Sequence, residues 1–159
     1  MEKLNTLDPI DLRLLQVIQK NGRMSIVDLA AGIGLSKSPC LKRLRRLEKD
    51  GYIRGYRADI DPYKVSQSHL VYVQVKLSST KMDKLEAFNA AVQDIPQIMS
   101  CHMMSGGYDY LLKIRTKDMQ AYRAFMGEVL ANLPGVLQTS TFPVMEQVKE
   151  SSFIPLGDG

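Results

Sequence analysis

One stretch, Leu35 to Gly51 (LSKSPCLKRLRRLEKDG), limits what this chain can fold into more than any other. As a helix from Ser36 to Asp50, at about 100° per residue, it sorts into two faces. Cys40, Leu41, Leu44 and Leu47 form a narrow apolar stripe that needs a core to sit on. Ser38, Lys42, Arg45, Arg46 and Lys49 fall on the opposite side, with Arg43 at its edge. A face with that many cations and almost no acids suits two surroundings, plain water or a polyanion. The ends are marked as well. Ser36 can cap the first turn with its hydroxyl, Pro39 sits where a missing N–H costs little, and Gly51 can close the helix in the left-handed conformation.

The preceding residues narrow the choice. Leu7-Asp8-Pro9-Ile10-Asp11 reads as a helix start, with Asp8 as N-cap, Pro9 at the first position and Asp11 adding negative charge to the first turn. Ile10, Leu14, Val17 and Ile18 give this helix its apolar stripe, and Asn21-Gly22 stops it. Ser25 caps a second, short helix, with Asp28 three residues on as in a capping box and Leu29, Ala30 and Ile33 to bury. Gly32 and Gly34 bracket the turn into the basic helix. Helix, short helix, glycine turn, basic helix is the helix-turn-helix order, in which the last helix enters the major groove. Tyr52 to Ile60 is rich in aromatic and β-branched residues and reads as an extended wing, with Arg54 and Arg57 near phosphate. In that setting double-stranded DNA is the partner that the basic face fits.

Within the reader helix the roles divide by reach. Cations that meet phosphates supply affinity and salt dependence, whereas contacts to base edges supply sequence choice. Ser38, Lys42 and Arg43, near the start and middle, are expected at bases or adjacent phosphates, and Ser36 and Pro39 of the first turn join the DNA-binding set. Arg45, Arg46, Lys49 and Arg54 are assigned to the DNA backbone.

Charge distribution agrees. Residues 1–62 hold 12 of the 21 basic and 8 of the 17 acidic residues, so the whole net charge of +4 sits there and the rest is neutral. A chain of 159 residues has room for one ample core or two small ones. The opening MEKLNTLDPIDLR has no apolar signal region, and no apolar run is long enough to span a bilayer, so the expected location is the cytoplasm with no membrane contact. Cys40 and Cys101 lie far apart and outside any CxxC pattern, which suits packed thiols better than a disulfide. Two scattered His and two scattered Cys give no metal cluster, and no cofactor is expected.

Residues 63–69 read as a linker. From His69 to Leu77, Val71, Val73, Val75 and Leu77 alternate with Tyr72, Gln74 and Lys76, as in a half-buried strand. Met82, Leu85, Phe88 and Val92 mark an amphipathic helix ended by Pro96. Ile98 to Met104 and Tyr108 to Arg115 read as strands around Gly106-Gly107. Asp118 begins another helix, with Met119, Tyr122, Phe125, Met126, Val129 and Leu130 as its apolar face. Val136 to Val148 reads as a last strand, with Pro143 implying an edge or bulge. The order β-α-β, β-α-β is the ferredoxin-like arrangement, with both helices on one sheet face. Tyr72, Tyr110, Leu112 and Phe142 are expected to leave the other face partly apolar. A second subunit is its simplest cover, and a two-fold dimer also suits DNA with two half-sites.

The stretches LDPIDLRLLQVIQKNGRMS, LAAGIGLSKSPCLKRLRRLEKDGYIRGYRADIDP, CHMMSGGYDYLLKI and LPGVLQTSTFPVMEQVK together resemble the Lrp/AsnC, or feast/famine, transcription regulators. The resemblance runs from Leu7 to Lys149, and SPCLKRLRRLE and SGGYDYLLK bring it nearest the leucine-responsive branch. It implies an α+β chain with a winged helix-turn-helix domain at 1–62, the linker at 63–69, and an effector-binding and oligomerisation domain of the RAM, or αβ-sandwich, type at 70–150. Residues 151–159 form a tail. It further implies homodimers assembling into tetramers or octamers and an amino-acid effector held at dimer–dimer contacts, an aliphatic one such as leucine being expected. Carried onto this sequence, the effector loop is Ser105-Gly106-Gly107-Tyr108-Asp109-Tyr110. Asp109 can pair with an ammonium, and the N–H groups of Gly106, Gly107 and Tyr108 can form a concavity for a carboxylate. Met103, Met119, Thr139, Thr141 and Val144 are placed around the effector's side chain, methionine being able to adapt its shape. Pro143 departs from the pattern of close relatives, which bears on which ligand fits.

Catalysis is not expected. His69 and His102 stand alone, Ser, Asp and His fall in no triad-like motif, and no GxxxxGK[ST] phosphate loop occurs. The competing function is a ligand-independent architectural protein that wraps DNA as a multimer.

Overall fold

Asp8, Pro9 and Asp11 start the first helix as their types demand. The computed structural model describes residues 7–157. In α1 (Pro9–Ile18) the Asp8 carboxylate accepts from the Asp11 N–H at 2.8 Å, and Asp11 returns the bond to the Asp8 N–H at 3.2 Å. In α2 (Ile26–Gly32) Ser25 accepts from the Asp28 N–H at 3.1 Å. Gly34, at φ 71°, makes the turn into α3 (Lys37–Lys49) in a conformation that only glycine takes cheaply. Ser36 is the N-cap residue of α3 but makes no side-chain capping bond, and Gly51 at φ 78° closes the helix. Leu14 and Ile18 of α1, Leu29 and Ala30 of α2, Ile33, and Cys40 and Leu47 of α3 form one apolar core. Each fully buried leucine in it contributes about 1.5–3 kcal/mol.

Residues 52–60, expected as an extended wing, carry no strand ladder. They are tied down by one backbone bond and one side-chain bond to α3 instead. The Ile53 N–H donates to the Leu47 carbonyl at 3.1 Å, and Tyr56 donates its hydroxyl to Glu48 at 2.8 Å. The tail belongs with these helices. The chain divides into two compact units, one of residues up to Asp59 together with those from Lys149 onward, the other Ile60–Val148. The Gln19 amide pairs doubly with the backbone of Ile154, at 3.1 Å each way, and Gln16 reaches the Leu156 carbonyl at 3.3 Å.

The second unit is a four-stranded antiparallel sheet with two helices: β1 (His69–Leu77), α4 (Met82–Ala91), β2 (Ile98–Met103), β3 (Tyr110–Thr116), α5 (Met119–Glu128), a 3-10 turn at Leu130–Asn132, and β4 (Val136–Pro143). The strand order is β2-β3-β1-β4. Val71, Val73 and Val75 pair with Ile114, Leu112 and Tyr110, so these residues share the face that α4 and α5 cover with Phe88, Val92, Tyr122 and Phe125. This corrects the sequence reading, which put Tyr110 and Leu112 on the open face. Both are buried, and the Tyr110 hydroxyl donates to Asn89 of α4 at 2.8 Å. The pleat decides the matter, since residues directly opposite in a ladder point the same way. Tyr72, Leu111 and Phe142 do lie on the open face, Phe142 half exposed. β4 ends at Pro143 on the sheet edge, where the missing N–H breaks no ladder.

Candidate nucleic-acid interface and effector site

The cations of α3 fall into two groups. Ser38, Lys42, Arg45 and Lys49 follow one another four, three and four residues apart, which lines them on one side of the helix opposite Cys40 and Leu47. All four are exposed, and no ion pair holds the three cations among the described residues. Ser36 and Pro39 are exposed in the first turn. The structure thus gathers six of the predicted DNA-binding residues, and they include the helix start that a major-groove reader presents.

Arg43 and Arg46 are placed differently. Asp11 is fully buried on α1, yet its carboxylate accepts from Arg43 Nη1 at 2.8 Å and from Arg46 Nη2. The Asp8 carboxylate lies 2.5 Å from the same Arg43 Nη1. Arg43 and Arg46 keep 27% and 38% of their side chains exposed. The sequence reading set Arg46 on the free basic face. Three residues apart, the two arginines project toward α1 instead, because a buried carboxylate is unfavourable without cations. The Asp11 N–H and the Arg43 guanidinium hold the Asp8 carboxyl below its ordinary value. The two carboxylates in turn raise Arg43. Asp11 was missed as more than a first-turn charge. Its signal was its spacing, since positions 11, 14 and 18 fall on the buried stripe of α1. Arg54 is exposed and lines a cleft of about 240 Å³ bounded by Leu15, Tyr52, Tyr56, Ile154 and Leu156.

In the second unit the predicted effector residues separate into two places. Met103, Gly106, Gly107, Tyr108, Asp109 and Thr139 lie at the end of the sheet where β1 finishes. Asp109 is half-buried; its N–H donates to Val75, and its carboxylate accepts the Leu77 N–H at 2.7 Å. The local hydrogen-bonding role open to any aspartate at a strand start is therefore filled through one oxygen. Gly106 is at φ 149°, and the N–H groups of Gly106, Gly107 and Tyr108 make no hydrogen bond among the described residues. Met103, 56% exposed, sits on edge strand β2, while Thr139 sits on the opposite edge strand, β4.

Met119 and Val144 lie at the other end. Met119 opens α5 just after Thr116, which pairs with His69, and the Val144 N–H donates to Leu70. Leu70 and Val75 are five steps apart along β1, about 17 Å of strand. Thr141 lies between the two ends, its hydroxyl 2.6 Å from that of Tyr122. One chain therefore does not close all nine residues around one ligand. No group of His, Cys, Asp or Glu among the described residues could hold a metal ion, and no helix among them is long and apolar enough to cross a membrane. Burial pushes both thiols, Cys40 and Cys101, up.

Residues 7–54 match the winged helix-turn-helix DNA-binding family, and residues 70–154 match the Lrp/AsnC ligand binding domain family. The chain belongs to the Lrp/AsnC family. It is 47% identical over 149 residues to the proline dehydrogenase transcriptional activator of Rhizobium radiobacter, covering 94% of this chain and 96% of that one. It is 50% identical over 146 residues to the leucine-responsive regulatory protein of Salmonella typhimurium, covering 92% and 89%. A transcriptional regulator of Neisseria meningitidis, solved in complex with L-Met, superposes with a TM-score of 0.89 at 36% identity over 95% of this chain and 97% of that one. The chain is thus a DNA-binding transcription regulator of the Lrp/AsnC type with that family's amino-acid-binding domain, and its relatives are regulators, not enzymes.

Proposed function

We propose that this regulator reads duplex DNA with the Ser38, Lys42, Arg45 and Lys49 stripe of α3, as an assembly of identical chains whose DNA affinity or size responds to an apolar amino acid, an aliphatic one such as leucine foremost. The observation that carries the DNA part is the stripe itself: exposed cations on one side of a helix whose opposite side is core. Six to ten such contacts, counted over a dimer, make binding strongly salt-dependent.

The effector part is supported by the end of the sheet that carries Asp109. The second oxygen of Asp109 is available to an ammonium, and the N–H groups of Gly106, Gly107 and Tyr108 can take a carboxylate. Met103 and Met119 would reach one ligand from different copies of the chain, which requires at least two copies and suits a homodimer assembling into a tetramer or octamer. The open sheet face with Tyr72, Leu111 and Phe142 supports pairing of two copies through that face. The Salmonella relative is named for its response to leucine, and the Neisseria regulator was solved with L-Met; both amino acids have flexible apolar side chains. A chain that reads duplex DNA works where the DNA is, which in bacteria such as these is the cytoplasm.

The test is thermal unfolding of the protein with each of the twenty amino acids. A ligand at 100 times its dissociation constant adds about 2.7 kcal/mol per site, a shift of several degrees for a chain of this size. A shift confined to apolar amino acids is the expected result. No shift with any amino acid would favour the ligand-independent architectural protein.

A further inference from the structure

The exposed stripe of α3 leaves two of that helix's arginines unaccounted for. We propose that Asp11 is a positioning residue for DNA reading: from its buried place on α1 it holds Arg43 and Arg46 of the reader helix and withholds their charge from phosphate. Phosphate contacts then fall to Lys42, Arg45 and Lys49. The inference rests on the assignment of α3 as the reader helix.

Three observations converge. Asp11 is fully buried, and both of its oxygens are engaged, Oδ1 by Arg43 Nη1 at 2.8 Å and Oδ2 by Arg46 Nη2 and the Asp8 N–H at 3.2 Å. Drawing either arginine away to a phosphate would leave that carboxylate short of a cation in a dry site. Arg43 is claimed twice, since Asp8 sits 2.5 Å from the same nitrogen. Two carboxylates and two guanidiniums also sum to no net charge, so the quartet presents DNA with little field. Finally, the Nε of Arg46 is buried without a partner, so this guanidinium lies against the protein along its inner edge and is not turned outward.

The consequence is for specificity. Every free cation strengthens binding to any duplex, whereas a regulator is judged by the ratio of specific to non-specific binding. Neutralising two of the helix's cations lowers the common term and also fixes α3 against α1, so that Ser38 meets base edges at one angle.

The experiment is titration of a random-sequence duplex in several salt concentrations, with circular dichroism confirming the fold of each variant. Lys42→Gln, Arg45→Gln and Lys49→Gln should each flatten the slope of log affinity against log salt by about 0.9. Arg43→Gln and Arg46→Gln should leave the slope where it is. Asp11→Asn should steepen it by up to about 1.8, two phosphates' worth, and tighten non-specific binding at low salt. A purely structural Asp11 would give the opposite, since a loosened head binds every duplex less well. If Asp11→Asn loses its helix signal, Arg43→Gln carries the test, because it leaves Arg46 on Asp11. Flattening by Arg43→Gln or Arg46→Gln equal to that of Arg45→Gln would overturn the proposal, as would a folded Asp11→Asn with an unchanged slope. A wild-type protein whose duplex binding ignored salt would overturn the reader-helix assignment itself and this inference with it.

Discussion

The helical unit carries its expected DNA-binding residues mostly on one element, and the sheet unit scatters its expected effector residues over two edges and two ends. In the first, four residues of α3 share a side because helical periodicity puts them there, and a charge network centred on the buried Asp11 anchors the same helix. In the second, a core of Val71, Val73, Val75, Leu112 and Phe88 contains no charge, and the expected ligand residues stand on β2, β4, α5 and the loops at either end. A site built on one helix is complete in one chain. The site we propose around the sheet's edges would need a second copy of the chain to complete it.

The largest effect that sharpens this contrast is in the sheet core. Phe88→Ala should cost about 4 kcal/mol by leaving a cavity against Tyr110, whose ring lies 4.4 Å away centre to centre. Amide exchange should then rise in β1 and β3 while α1 and α3 keep their protection. Asp11→Ala is the mirror experiment. It leaves Arg46 without a carboxylate and Arg43 with Asp8 alone, and should cost the helical unit about 3 kcal/mol, read as lost protection in α1 and α3 alone. Equal loss of protection in both units for either variant would break the comparison.

Asp109→Ala probes the scattered site. It should remove the roughly 2.7 kcal/mol of ligand-linked stabilisation expected at 100 times the dissociation constant, while salt-dependent duplex binding stays intact. A normal thermal shift in that variant would take Asp109 out of the site. Gln19→Ala releases the tail at Ile154 and should cost about 1 kcal/mol in the helical unit, measured by denaturant unfolding. The smallest effect is that of Asp8. Its carboxyl is held below the ordinary value of 3.8, so its contribution is present above that pH and is lost as pH falls through the lower folded value. Asp8→Asn should flatten that acid limb of the stability curve, and an unchanged limb would show that Arg43 relies on Asp11 alone.

What was legible in the sequence was periodic or local. The caps at Asp8, Ser25 and Asp118, the stop at Gly51, the alternation of β1 from His69 to Leu77 and the opposed stripes of α3 each follow from neighbouring residues. What was hidden depended on pairing between distant segments. Tyr110 and Leu112 could be assigned to a face only once β3 was registered against β1. Arg46 belonged to the free basic face until α1 brought Asp11 to it. Tyr52 to Ile60 has strand-like residues but no partner strand, and a backbone bond from Ile53 and a side-chain bond from Tyr56 replace the ladder. The effector residues came from a resemblance, and no periodicity could have told that Val144 and Asp109 stand at opposite ends of the sheet.

The most direct test of the central contrast is thermal unfolding with and without leucine, the effector proposed foremost, over a protein dilution series, with sedimentation velocity on the same samples. The account predicts a shift where chains are assembled and its disappearance as they dissociate to monomers, while the monomers still bind duplex DNA in a salt-dependent way. An undiminished shift in monomers would contradict it, because one chain would then hold the whole effector site.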